Sequence, residues 1–351
     1  MENKDFSTSF LKGDSFPVHF RCRCSTIKRK RSEKNMNQTL LTDKKIAVVG
    51  IGGVGGYMAG MLAKHYPHVT LAARGKRKES LQNHGLVLHS DYNGEITAFP
   101  EKIVTVEDME EQDYIFVCVK NYSLEEVCQS IAHAVTDHTV IVPVMNGTDP
   151  GDRIRNILHK GTVVDSLIYI VAFANTDYSI TQQGKFANLY IGIKNADALQ
   201  AQAVSEVSDI LTGAGIDHKC APDIEQAIWR KYILNCAYNV ATAAYDNTIG
   251  ELRADPEKTA EYEALVQEAY QIALAKQVDI RPKHIEIIID KFHNDYADDA
   301  TSSLQRDIRA GLQAELDTFS GYIVREAEKY GISVPVSRKM YEILKEKTGL
   351  L

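Results

Sequence analysis

Lys231, Asn235 and Asn239 stand at four-residue intervals in "WRKYILNCAYN", residues 229–239. Four residues turn a helix by about 400°, so the three side chains line up along one face. The stretch has no glycine or proline, and no charged residue lies between Lys231 and Asp246. Ile233, Leu234, Ala237 and Val240 fall mostly off that line. The row is therefore either the edge of an ordinary solvated helix or the polar lining of a pocket on a buried one. The absence of charge favours the pocket. Buried amides and ammonium groups need partners, and a ligand can supply them. A desolvated lysine also titrates closer to neutrality, which makes Lys231 usable as a proton donor.

A second constellation lies near the start of the folded chain. "GIGGVGG" fits G-x-G-x-x-G at Gly50, Gly52 and Gly55, after the β-branched run "KKIAVV" and ahead of a helical pattern. In that setting Gly50 permits a tight turn, Gly52 lets the backbone approach a pyrophosphate, and Gly55 allows close helix–strand packing. Phosphates then meet free N–H groups at the helix N-terminus. At the end of the second strand, where a carboxylate would select NAD, the chain reads "AARGKRK". Arg74 stands there with Lys76 and Arg77 behind it, which suits a 2′-phosphate and predicts NADP(H) as cofactor. Lys120 and Asn146 each follow the C-terminal end of an apolar strand, where α/β sheets bind ligands.

The elements that must position these residues divide the chain. "HVTLAAR", "DYIFVCVK" and "HTVIVPVMNG" read as further strands separated by helical segments, the pattern of a parallel sheet covered on both faces. Beyond "GTVVDSLIYIVAFA" the pattern turns antiparallel, with "SITQQG" and "LYIGI" as two short strands, a helix over 197–213 and a strand near 216–219. From Asp223 onward only helices are expected: 223–245, 256–277, 281–294 and one long helix over 302–331. The fold class is an α/β Rossmann-type dinucleotide-binding domain over 44–222, followed by an all-α domain over 223–351. Residues 1–43 are expected to be a leader outside the fold, either disordered or translated from a start upstream of the true one.

Composition narrows the partners. Residues 1–35 hold nine basic and four acidic side chains, so of the net −7 the remainder carries −12. That balance argues against a nucleic-acid surface on the folded body. No apolar run is long enough for a membrane span. The six cysteines lack paired metal-ligand spacing, so neither a metal site nor a disulfide framework is expected, and a cytoplasmic setting is the simplest. Ser302, three residues before Gln305, has the spacing of a capping box at a helix start.

Over about 44–340 the chain resembles the ketopantoate reductase (2-dehydropantoate 2-reductase) family. The carrying motifs are "GIGGVGG", "CVKNY", "PVMNG", "RKYILNCAYN", "NTIGEL", "SSLQRDI" and "AELD". The resemblance implies Lys231 as general acid and Glu315 as the carboxylate supporting it. It implies Asn235, Asn239 and Ser303 as substrate contacts, with Lys120 and Asn146 meeting nicotinamide and substrate. It also implies the reaction: NADPH-dependent reduction of 2-dehydropantoate to (R)-pantoate, in the route to pantothenate and coenzyme A.

Three departures bear on which acid is taken. "LQA" precedes Glu315 in place of an Arg-Pro-Thr run, "NTDYSITQQGKFANLYIG" replaces a His-x-Gly-x-Gly hairpin, and "TDP" follows the Asn146-Gly147 turn. The rival readings are a reductase of another 2-oxo acid or of an opine-type imine, and a non-catalytic NADP(H)-sensing protein. The expected partner is a small 2-oxo acid, and the reading allows a homodimer.

Overall fold

The computed structural model describes residues 41–349; the leader, apart from residues 41–43, lies outside them. Two compact units emerge. One comprises residues 41–145 and 149–224, and the other residues 146–148 and 225–349.

In the first unit, strands β1 (Ile46–Val49), β2 (Val69–Ala72), β5 (Lys102–Val104), β6 (Tyr114–Val117), β7 (Val140–Pro143) and β8 (Thr162–Val163) form one sheet. Its order is β5-β2-β1-β6-β7-β8, and every pairing is parallel. Counting only these strands, the order is 3-2-1-4-5-6, with the reversal between β1 and β6 that opens a crevice at their C-terminal ends. Successive residues of a strand point to opposite faces. Ile46 and Val48 accordingly join one core with Tyr114, Phe116, Val140 and Val142. Ala47 and Val49 join another with Ile115, Val117 and Ile141. Both faces are thus buried, which is why these strands are apolar throughout.

A second sheet in this unit is built from β3 (Leu86–Ser90), β4 (Gly94–Ala98), β9 (Asp165–Ala174), β10 (Ile180–Gly192) and β11 (His218–Cys220), in the order β11-β10-β3-β4 with β9 pairing β10. Strands β3 (Leu86–Ser90) and β4 (Gly94–Ala98) form a hairpin that sequence periodicity missed. The two short strands expected over 179–184 and 189–193 are one long strand, β10 (Ile180–Gly192), antiparallel to β9 (Asp165–Ala174). Its register slips between Gln183 and Asn188, where Gly184 adopts φ +79°. A glycine at an irregularity reads as a strand boundary in sequence but is spanned by pairing on either side. The helix expected over 197–213 spans Ala198–Gly213, started by a reciprocal Asp197–Gln200 capping box. The strand expected near 216–219 is β11 (His218–Cys220).

In the second unit, no strand occurs among the described residues. The helix over Ile224–Tyr245 carries the polar row and is followed by Ile249–Arg253, Pro256–Ala275 and Pro282–Asn294. The single helix expected over 302–331 is broken instead. Ser303–Arg309 ends before Gly311, which takes φ +64°, and the chain resumes in a wide π-helical turn at Asp317–Gly321 before helix Tyr322–Tyr330. A left-handed glycine ends a helix cheaply, and here it stops one that periodicity alone would continue. The last helix, Pro335–Thr348, has its first turn held by Glu268, whose carboxylate accepts from the N–H of Val336 and Ser337 at 2.9 and 2.7 Å.

Candidate active site

Helix Ile224–Tyr245 has an aromatic and aliphatic body, with Trp229, Tyr232, Ile233, Ala237, Val240 and Ala241 all in the core of the helical unit. Against that body Lys231 and Asn235 are half-buried, and Asn239 is only 5% exposed. The expected row is therefore real and sits on a buried helix. The Lys231 ammonium donates to Asn146 Oδ1 at 3.1 Å. Desolvation pulls its pKa down to about 8, while the negative charge of Glu315 acts in the opposite sense. Glu315 itself is 6% exposed. The sequence-predicted Lys231, Glu315 and Asn146 are thus brought together.

The placement of Glu315 rests on the π-turn that follows it. In that turn Gly321 N–H donates to Leu316 O, five residues back. A wide turn frees main-chain carbonyls, and Tyr232 takes them up: its hydroxyl donates to Thr318 O at 2.7 Å and Phe319 O at 3.2 Å. Tyr232 is the residue after Lys231, and its ring stacks on Phe319. The segment carrying the carboxylate is thereby tied to the helix carrying the lysine. Sequence patterning gave no sign of this; π-turns do recur at functional sites.

Further along the row, Asn239 Nδ2 donates to Asn235 Oδ1 at 3.3 Å. Asn239 Oδ1 accepts from the Ser303 hydroxyl at 3.1 Å and from Leu304 N–H at 3.3 Å. Ser303 therefore joins the row. Ser302, as expected, caps the helix, accepting from Gln305 N–H at 3.1 Å. The capping box is not reciprocated: Gln305 Nε2 donates to Asp246 Oδ1 and Asn247 O instead. Ser302 Oγ also accepts from the Thr242 hydroxyl at 2.7 Å.

In the parallel-sheet unit the three glycines have separable reasons. Gly50 has φ +91°, and a Cβ there would lie 2.7 Å from Val119 and 2.9 Å from the Cys118 backbone. A Cβ on Gly55 would lie 1.9 Å from Gly50 O, so helix Gly53–His65 packs directly on the turn. A Cβ on Gly52 would meet nothing within 4 Å. Its need for glycine is not met inside the protein, as expected of a position a ligand approaches. Gly53, not singled out by the motif, would collide with Ala172 O at 2.2 Å.

Arg74 is exposed and sits at the N-cap position of helix Gly75–His84, its side chain making no capping bond. Arg77, one turn on, is half-buried and donates to Tyr178 O, with its guanidinium 5.9 Å from the Tyr178 ring centre. Its Nε and Nη2 have no partner, and burial pulls its pKa below the ordinary value. Two orphaned cationic donors beside a dinucleotide motif fit a phosphate. Lys120 is half-buried at the start of the short helical turn Asn121–Ser123. Asn121, next to it, is held by Arg153 through both its side chain and its carbonyl, at 2.9 and 3.1 Å.

Among the described residues, no group of three His, Cys, Asp or Glu side chains could hold a metal ion, and no helix is long and apolar enough to cross a membrane.

A dinucleotide-type parallel sheet joined to a helical unit with a half-buried lysine under the influence of a buried carboxylate points to a class of oxidoreductases, and comparison with known proteins narrows it. Residues 46–196 match the family described as ketopantoate reductase PanE/ApbA, and residues 223–348 match its C-terminal counterpart. The chain belongs to the ketopantoate reductase family. It is 25% identical over 297 residues to the uncharacterized oxidoreductase YkpB of Bacillus subtilis, covering 85% of this chain and 96% of that one. It is 27% identical to a 2-dehydropantoate 2-reductase of Mesorhizobium japonicum, over 78% and 88% of the two chains. A D-mandelate dehydrogenase solved with NADH and anilino(oxo)acetate shares the fold, with a TM-score of 0.78 at 22% identity over 87% and 99%.

Proposed function

We propose that the chain is an NADPH-dependent reductase acting on 2-dehydropantoate to give (R)-pantoate. The observation that carries this reading is the desolvated Lys231 ammonium, lowered to about 8 beside Asn146 and Glu315. A group poised there is protonated at neutral pH yet gives its proton up readily. The glycine turn would hold the pyrophosphate, and Arg74 with the orphaned donors of Arg77 would hold a 2′-phosphate. When bound, the nicotinamide supplies a hydride to the carbonyl carbon of the substrate. Lys231 stabilises the negative charge that develops on the carbonyl oxygen and then protonates it. Glu315 keeps the ammonium charged against desolvation, and Asn146 orients it. Asn235 and Ser303 offer hydrogen-bonding atoms for the rest of the 2-oxo acid.

Reduction of a different 2-oxo acid is the second reading, favoured by the "LQA", "TDP" and hairpin departures and by the likeness in fold to an enzyme of aromatic 2-hydroxy acids. Following NADPH absorbance with 2-dehydropantoate and a panel of branched and aromatic 2-oxo acids separates them. A kcat/KM at least about tenfold higher for 2-dehydropantoate than for any other acid supports the first. Preference for an aromatic acid sinks it in favour of the second.

A further inference from the structure

Tyr232 follows the lysine in sequence but is turned into the core of the helical unit, where it is 2% exposed. Trp229 and Tyr322 meet its ring edge-on at 5.5 and 5.6 Å, and Phe319 stacks on it at 6.4 Å. Phenylalanine would fill such a site equally well, since a buried hydroxyl is costly unless it finds a partner. Here it donates to Thr318 O at 2.7 Å and Phe319 O at 3.2 Å. Thr318 in turn reaches the carboxylate's own residue, its N–H donating to Glu315 O at 3.1 Å. Two hydrogen bonds through one residue thus join the Tyr232 hydroxyl to the main chain of Glu315.

The same segment has a second tie on its outer side. Asp317 O accepts from Arg325 Nη2 at 3.0 Å, and the Asp317 carboxylate accepts from the Tyr341 hydroxyl. Arg325 and Asp317 are both more than half exposed, so water competes for these bonds. The buried tie is the one that can hold a fixed bearing.

We propose that Tyr232 is a positioning residue for the proton donor: its hydroxyl holds Glu315 where the carboxylate acts on Lys231, and so sets the pH range over which the enzyme reduces its substrate. This rests on the reading of Lys231 as general acid. Burial lowers the lysine and Glu315 raises it. Losing the hydroxyl lets Glu315 turn away, which removes the raising influence and moves the lysine down. Loosening of the core would instead admit water to the ammonium and move it up. The two effects have opposite signs.

The titratable neighbours of Tyr232 do not obscure that sign. Cys236 is hydrogen-bonded to it, and burial pushes that thiol up. Lys276 lies 5.9 Å from the Tyr322 ring centre; desolvation would lower it, but hydrogen bonding to Glu326 carries it above the ordinary range. Neither changes charge between about pH 6 and 9, where Lys231 titrates.

The test is Tyr232→Phe, which removes the hydroxyl and keeps the ring among its neighbours. In protein labelled with 13Cε-lysine, the signal lost in Lys231→Arg reports the Lys231 midpoint without any substrate. That midpoint should fall by roughly half a pH unit or more, and the alkaline limb of kcat should move down with it. In a Glu315→Gln background Tyr232→Phe should shift the midpoint no further, since both act through one carboxylate. Tyr341→Phe, which cuts the outer tie, should leave the midpoint in place. A midpoint that stays or rises in Tyr232→Phe overturns the inference, as does full additivity with Glu315→Gln or an equal fall in Tyr341→Phe. A wild-type protein that reduces no 2-oxo acid overturns the functional reading, whereas the lysine titration tests the tyrosine by itself.

Discussion

In the parallel-sheet unit the groups that would meet a pyrophosphate are main-chain atoms, laid open by the missing side chains of Gly50, Gly52 and Gly55; in the helical unit the groups that would meet a ligand are side-chain atoms of Lys231, Asn235, Ser303 and Glu315, set in a core of aromatic and aliphatic neighbours. A main-chain site is specified by shape, since every peptide offers the same N–H and C=O. A side-chain site is specified by burial, because the low dielectric around it decides which atoms carry charge. Substitutions should therefore fail differently in the two units: by collision in the first, by altered protonation or lost polarity in the second.

The largest expected effect lies in the helical unit. Lys231→Ala should lower kcat and kcat/KM together by roughly 10²-fold or more, the scale of a lost general acid, while leaving NADPH binding and the fold intact. A variant with unchanged kcat and only a raised KM would make the lysine a carboxylate anchor.

Next come two glycines that differ only in what a methyl group would meet. Gly55→Ala must displace backbone and should lower Tm by roughly 5–10 °C. Gly52→Ala opens onto free space, so Tm should hold while cofactor affinity falls about tenfold. Equal Tm losses in calorimetry would erase the distinction between them.

Of similar size is the response of Arg74→Ala and Arg77→Ala. Each should weaken NADPH by about tenfold while barely changing NADH, since a charge-assisted bond to the 2′-phosphate is lost. A wild-type protein that binds both cofactors equally removes the basis for this expectation.

The smallest effect is a displacement in pH. Reduction needs Lys231 charged, so kcat should fall as pH rises through about 8, whereas oxidation of the alcohol, which needs it neutral, should rise over the same range. Glu315 opposes the lowering caused by burial. Glu315→Gln should therefore move the alkaline limb to lower pH, and a limb that moves upward would show that Glu315 does not support the lysine.

The parallel sheet was legible because both its faces are buried and its strands are apolar without interruption, and the dinucleotide turn because glycines punctuate it. Lys231, Asn235 and Asn239 were legible for a related reason: polar residues at helical spacing stand out against an apolar helix. What periodicity missed are features built from single backbone angles or distant partners. Gly311 breaks an otherwise continuous amphipathic pattern, Gly184 joins what looks like two strands, and Gly53 answers to a carbonyl more than a hundred residues away. Arg77 lay in view behind Arg74, but its orphaned donors are a property of packing. Glu315 came from family resemblance, because its own neighbourhood in sequence, "GLQAELD", has no periodic signature.

The π-turn at Asp317–Gly321 has a consequence for how such an enzyme can change. A turn of this kind is an α-helical turn with one residue too many, and each residue of an α-helix subtends about 100°. Removing one residue between 317 and 321 would let the following helix run unbroken, and would swing Glu315 by that angle away from its present bearing on Lys231. Insertion or deletion of a single codon could thus switch the lysine's counter-charge off or on without altering any residue of the site itself.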